Sequence, residues 1–267
     1  MKCHRGIILG LLAIVCTSLN LLGGGIHVSA AENATQSLQA ALVWSESDGL
    51  RHEIFSSFLK NGSWSEPEMI TDDNAGNLHP SIDLDTDGRK WLVWTALDDA
   101  GLEIRYCVQE DGKWQEPKTI PSGLISNVKP SLVVDQDNIP WVVWSGNNGG
   151  LDDIYYSRFI DGEWQKETAL HPENDVPDIL PFLDLDENKQ PIVTWESYRD
   201  EDYIKLQSTW NGESWSDPVE PATEGDAEES AGTLLEEITL PDFVGDTRMV
   251  FMRVIEKRQG ETNGAGQ

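Results

Sequence analysis

The order of apolar and polar residues along this chain repeats about every fifty positions. Four apolar stretches each end in tryptophan, at Trp44, Trp94, Trp144 and Trp195, with spacings of 50, 50 and 51 residues. Ile54, Ile104, Ile154 and Ile204 recur every 50 residues. So do the dipeptides Asn61-Gly62, Asp111-Gly112, Asp161-Gly162 and Asn211-Gly212, each followed closely by Trp64, Trp114, Trp164 or Trp215. Pro80, Pro130 and Pro181 mark a further position in register. A period of this length identifies a repeat architecture in which each unit buries its apolar faces against its neighbours.

Each unit reads as four strands. In the second, Pro80–Asp85 predicts a first strand and Asp87-Gly88 a turn, with Trp91–Thr95 a second strand apolar on both faces. Glu103–Gln109 predicts a third strand, and Asp111-Gly112 a tight hairpin onto a fourth, Lys113–Ile120. Asn-Gly and Asp-Gly favour such hairpins because both central residues must tolerate positive φ. Strands apolar on both faces need cover on both sides, which radially stacked blades provide. The expected fold is therefore an all-β propeller over residues 39–258, with four blades or with five of which one is incomplete. On this reading Ile238–Phe243 supplies a first strand. Met249–Val254, with Phe251 in the place of the tryptophan, is then surplus in a four-bladed ring.

The N-terminus does not belong to that domain. Lys2 and Arg5 precede the mostly apolar run Gly6–Leu22, and His27-Val28-Ser29-Ala30 has the small-residue pattern of a signal-peptidase site. Residues 1–30 are expected to be a signal peptide, with an uncleaved anchor as the competing reading. Residues 31–38 are expected to be a linker and 259–267 a disordered tail. Cleavage implies a secreted or periplasmic protein without a membrane span. It removes two basic residues, moving the formal net charge from −28 to −30. Such a surface repels phosphate backbones, so nucleic acid is excluded as a partner. Cys107 is the cysteine left after cleavage. It lies in a predicted strand and is expected to be buried and inert.

The hairpins Asn61-Gly62-Ser63-Trp64, Asp111-Gly112-Lys113-Trp114, Asp161-Gly162-Glu163-Trp164 and Asn211-Gly212-Glu213-Ser214-Trp215 carry a resemblance. The unit resembles the sialidase-like, Asp-box (bacterial neuraminidase) repeat propellers and, more loosely, the fucose-binding propeller lectins. The Asp-box form is Ser-x-Asp-x-Gly-x-x-Trp; this chain keeps the Gly and Trp, has Asp in two copies and lacks the leading Ser. The resemblance covers about residues 39–254 and implies architecture, because in those families the box is a folding element away from the active site. It also implies what a sialidase would need: an arginine triad gripping a carboxylate, a Tyr/Glu pair and an Asp acid. None of Arg51, Arg89, Arg105, Arg158, Arg199, Arg248, Arg253 and Arg258 sits in the arginine-bearing N-terminal motif of that family. Sialidase activity is not expected, and no catalytic pair can be named among 47 acidic residues.

Three further groups are candidates. Asp83-Leu84-Asp85-Thr86-Asp87-Gly88 has the alternating carboxylates of a calcium loop, but lacks the closing glutamate; a hairpin turn rich in Asp and Gly explains it as well. Apart from this Ca²⁺ option no cofactor is expected. Asp48, Asp98, Asp99, Asp152, Asp153, Asp200, Glu201 and Asp202 recur after each second strand, predicting an acidic rim for cations or a basic partner, or simply a solvated edge. The acidic stretch Glu224–Glu237 would join them. Tyr106, Tyr155 and Tyr156, with Arg105 or Arg158, are the aromatic and cationic candidates for ligand contact. The reading is a non-catalytic extracytoplasmic protein binding a glycan or a protein through loops and inter-blade grooves. A glycoside hydrolase or lyase and a structural module that oligomerises through an open ring are the alternatives.

Overall fold

The computed structural model describes residues 8–9, 39–47, 49–172, 174–221, 241 and 250–255. The expectations for the remainder of the signal peptide, the linker, Asp48, Glu224–Glu237, Ile238–Phe243 and the tail lie largely or wholly outside these residues. Among the described residues there is no helix. None is therefore long and apolar enough to cross a membrane.

The short strand β1 (Ile8–Leu9) is followed by four β-meander units. Unit 1 holds β2 (Gln39–Ser47), β3 (His52–Lys60), β4 (Ser63–Trp64) and β5 (Glu68–Met69). Unit 2 holds β6 (Gly76–Leu84), β7 (Lys90–Asp98), β8 (Gly101–Glu110), β9 (Lys113–Trp114) and β10 (Lys118–Thr119). Unit 3 repeats this with β11 (Ser126–Val134), β12 (Pro140–Asn147), β13 (Asp152–Ile160), β14 (Glu163–Trp164) and β15 (Thr168–Ala169). Unit 4 holds β16 (Asp178–Leu185), β17 (Pro191–Arg199) and β18 (Asp202–Thr209), extended by the bridges Trp210↔Trp215 and Gln207↔Val219.

The last strand, β19 (Val250–Ile255), pairs antiparallel with β2, Phe251 facing Val43 across the ladder. It occupies in unit 1 the place that β6, β11 and β16 occupy in theirs. Met249–Val254 is thus no surplus strand, and Phe251 does not stand in for a repeat tryptophan: it joins the cluster between units 1 and 2. On its other edge β19 pairs in parallel with β1.

The hairpins form as their sequences require. Asn61, Gly62, Asp111, Gly112, Asp161 and Gly162 all have φ between 49° and 85°. The fourth hairpin is one residue longer, and there only Gly212 is left-handed, with Asn211 N–H donating to the Ser214 carbonyl. The predicted fourth strand is split in two, at Lys113–Trp114 and Lys118–Thr119. Pro117 has no N–H to offer a ladder there, although unit 3 splits identically without a proline. The tryptophans fill the wedges between units as expected. Trp94 lies in the cluster between units 1 and 2, Trp91 and Trp144 between 2 and 3, Trp141 and Trp195 between 3 and 4.

Three of the four innermost strands carry a β-bulge, between Leu78 and Ser81, Val128 and Ser131, and Ile179 and Phe182, whereas β19 pairs with β2 in unbroken register. The residue before the repeat proline is left-handed in all three: His79 (φ 52°), Lys129 (φ 55°) and Leu180 (φ 56°). Neighbouring units hold these bulges, since Lys129 N–H donates to Thr95 Oγ1 (2.9 Å) and Leu180 N–H to Ser145 Oγ (3.1 Å). The proline that follows costs no ladder bond, because it lies inside the bulge, between the residues that pair.

Candidate functional site

The second-to-third-strand hairpins close at Asp98↔Gly101, Asn147↔Asp152 and Arg199↔Asp202, all at one end of the sheets. The register Ile179↔Glu196 and Asp178↔Ser197 brings the bulges toward the same end. This end gathers most of the expected acidic rim. Asp98 and Glu103 pair with Arg105, Glu103 Oε1 at 2.6 Å from Nε, while Asp73 Oδ2 lies 2.9 Å from Nη1. Arg105 is therefore held by three carboxylates. Asp152 accepts from Asn147 Nδ2 (2.8 Å), and Asp153 is buried. Asp99, Asp200, Glu201 and Asp202 are exposed, with Asp200 and Glu201 left-handed in the turn. The rim is thus divided: three carboxylates serve the protein's own structure and four face solvent.

The aromatic candidates lie between units. Tyr155 is 6 % exposed and stacks on Trp144 at 6.5 Å. Tyr106 meets Trp164 edge-on at 5.6 Å, and Tyr156 stacks on Trp141 at 6.0 Å. The Arg158 guanidinium lies 4.9 Å from the Trp141 ring and 5.3 Å from that of Trp210. These contacts commit much of each side chain to packing.

In the candidate calcium loop, Asp85 Oδ1 accepts from Asp87 N–H (3.1 Å) and Arg89 N–H (2.9 Å). Its Oδ2 accepts from Arg89 Nε (2.6 Å) and Trp91 Nε1 (3.0 Å). Asp83 accepts from Leu84 N–H and Val134 N–H, and Asp87 points to solvent. Asp135 repeats the arrangement of Asp85, with Trp141 Nε1 donating at 2.8 Å. The carboxylates thus tie the turns to the second-strand tryptophans. Among the described residues no three His, Cys, Asp or Glu side chains are grouped to hold a metal ion.

Two features escaped the sequence reading. Tyr198 and Tyr203, opposite each other on β17 and β18, remain 38 % and 45 % exposed with ring centroids 5.1 Å apart. Their signal was available: they flank the acidic hairpin, where the other units carry Leu97 and Leu102 or Asn147 and Asp152. The second is His79. Burial and the nearby Lys129 ammonium push its imidazole pKa down to about 4, and its Nδ1 is buried with no hydrogen-bond partner among the described residues. It is a neutral group on the innermost strand beside a cation.

A third departure breaks the repeat. Trp94 Nε1 donates to Asn77 Oδ1 (2.7 Å) and Trp144 Nε1 to Asn127 Oδ1 (2.8 Å). Unit 4 has Asp178 at that position, and around a small cavity Trp195 Nε1, Asp178 Oδ1 and His171 Nε2 have no hydrogen-bond partner among the described residues. Burial lowers the pKa of His171, opposed by Asp178 and Asp217.

These features sit on an all-β propeller fold, with solved relatives in shape. A protein of unknown function from Dyadobacter fermentans superposes with a TM-score of 0.54 at 11 % identity, covering 69 % of this chain and 70 % of that one. A polysaccharide lyase, ulvan lyase, gives a TM-score of 0.50 at 11 % identity over 72 % of this chain and 57 % of its own. A microbial sialidase gives 0.43 at 13 % identity over 62 % and 45 %. The chain thus spans little more than half of that lyase and less than half of that sialidase. At these identities the likeness is one of fold. No protein-family model matches the sequence, and no curated protein matches it.

Proposed function

We propose that the protein is an extracytoplasmic glycan-binding propeller that takes its ligand on the hairpin end of unit 4. The observation that carries this reading is the Tyr198–Tyr203 pair. Two touching tyrosines left in water are apolar area that folding has not used, and each presents a flat face with a hydroxyl at its tip. Sugar rings offer the complement, with C–H bonds on one face and hydroxyls around the edge. Asp200, Glu201 and Asp202 beside the pair supply acceptors for those hydroxyls. The exposed acidic surface keeps the protein soluble and turns away nucleic acid and anionic membranes.

A polysaccharide-binding screen of the purified protein tests this. Retention of a glycan by wild type, weakened by Tyr198→Ala and Tyr203→Ala, is the expected result. Absence of retention across neutral and acidic glycans would remove the reading. Release of reducing or unsaturated ends from a bound polysaccharide would replace it with a hydrolase or lyase.

A further inference from the structure

We propose that the hairpin end of units 2 and 3 is a docking surface for a basic amphipathic polypeptide segment, whose apolar side chains cover Leu97, Leu102, Ile125 and Leu151. The inference goes beyond the glycan reading and does not rest on it, since the tyrosine pair belongs to unit 4.

Among the described residues nine large apolar side chains are exposed. Two of them, Met69 and Val219, lie on outermost strand segments, and the other seven are at the hairpin end. Three of the seven form one patch: Ile125 is 71 % exposed, Leu97 49 % and Leu151 45 %, with Leu102 half-buried beside them. The ladder makes these positions contiguous. Leu97 is opposite Leu102 across β7 and β8, and Leu102 pairs in parallel with Ser126, the residue after Ile125. Ile125 N–H donates to the Asn147 carbonyl (2.7 Å), and a Cβ on Gly149 would meet Ile125 Cδ1 at 3.4 Å. Leu151 stands in the same hairpin as Asn147 and Gly149. The patch thus crosses from unit 2 to unit 3. None of its members belongs to a cluster that joins the units, so packing between blades does not account for them.

Small neighbours leave these side chains prominent: Ala100-Gly101 lies in one hairpin and Gly149-Gly150 in the other. The loops that carry the patch, 97–102, 123–126 and 147–152, contain three aspartates and no lysine or arginine. Asp99 is exposed, and Asp98 pairs with Arg105, a cation already held by three carboxylates. An apolar centre with a charged edge is the make-up of an interface. The charge selects the occupant. A second copy of this chain would bring its own share of a −28 formal charge to an acidic surface, and an anionic bilayer would be repelled in the same way. A neutral or acidic glycan brings no counter-charge, and branched aliphatic side chains offer its rings no flat face. A polypeptide with apolar side chains on one face and Lys or Arg beside them answers both the centre and the edge.

The test uses the intact protein and the double variant Ile125→Ser/Leu151→Ser, with equal melting temperatures establishing that the variant folds. Three synthetic peptides are compared by calorimetry: an amphipathic Leu/Lys helix, the same helix with Glu for every Lys, and a Ser/Lys peptide of equal charge without an apolar face. The proposal predicts that the Leu/Lys peptide binds best, moves the Ile125 methyl resonances, and binds the double variant about tenfold more weakly. Added salt should weaken the complex. Equal binding of the Leu/Lys peptide by wild type and variant, or of the Leu/Lys and Ser/Lys peptides by wild type, reduces the contact to undirected charge attraction and overturns the proposal. Preference for the Leu/Glu peptide overturns it as well. Self-association lost in the variant would give the patch to a second copy, and variant-sensitive binding to phosphatidylcholine vesicles would give it to a lipid surface; either result overturns it. Glycan retention should be unchanged in the double variant, so this proposal and the glycan reading fail on different proteins.

Discussion

His79 makes the stability of this protein depend on acid in a defined window. Its folded pKa, about 4, lies below the ordinary 6.5. A base whose pKa is depressed by folding must be neutral in the native state, so protonation favours the unfolded chain. Its contribution is therefore complete above about pH 6.5 and is lost as pH falls toward 4, by about 2 kcal/mol for a half-buried group partly screened by solvent. His171 acts in the same direction. Urea midpoints at pH 7, 5 and 4 should fall less for His79→Asn than for wild type, asparagine being tolerant of the left-handed backbone. At Cys107 burial raises the thiol pKa far above its usual value. Native protein should react with an aromatic disulfide reagent orders of magnitude more slowly than urea-unfolded protein. The buried Cys107 was readable from the strand pattern around it. The left-handed His79 was not: histidine does not announce positive φ as glycine does, and the conformation is imposed by the bulge and the proline after it.

At the scale of the element, the repeating device is a turn aspartate that holds the next strand's tryptophan. Asp135 accepts from two backbone N–H groups and from Trp141 Nε1. Asp135→Ala leaves these donors unpaired at a buried turn and should cost about 3 kcal/mol in chemical denaturation. The strands themselves were legible because Trp44, Trp94, Trp144 and Trp195 keep a period that only stacked units explain. Their hairpins were legible because Asn-Gly and Asp-Gly have few alternatives. Exposure was less legible. The second strands of units 2 and 3 are buried on both faces, so alternation there does not say which side of a strand meets water. Tyr155 is buried and Tyr106 and Tyr156 are partly buried, whereas Tyr198 and Tyr203, at a hairpin tip, are the exposed pair.

For the whole molecule, the C-terminal strand connects parts of the chain that are far apart in sequence. Arg253 on β19 donates through Nη1 to Asp184 Oδ1 (3.1 Å) and through Nη2 to the Leu132 carbonyl (3.1 Å), with Asp83 Oδ1 3.5 Å from Nε. One buried guanidinium from unit 1 thus touches the innermost strands of units 2, 3 and 4. Removing one partner from such a group strands the others, so Arg253→Met should destabilise by about 3–5 kcal/mol, read from urea midpoints. The role of β19 was hidden in the sequence. Val250–Ile255 lacks the tryptophan of its predecessors because it repeats a first strand, not a second, and its partner β2 lies some two hundred residues earlier. The propeller that results places Tyr198 and Tyr203 on one end of a unit whose framework they do not support.

That separation makes the central claim directly measurable. Calorimetric titration of a retained glycan into wild type, Tyr198→Ala and Tyr203→Ala, with melting temperatures determined in parallel, is the most direct test. The account predicts that each variant folds as wild type does and binds about tenfold more weakly. Undiminished affinity in both variants, at unchanged melting temperature, would contradict it and move the ligand away from this end of unit 4.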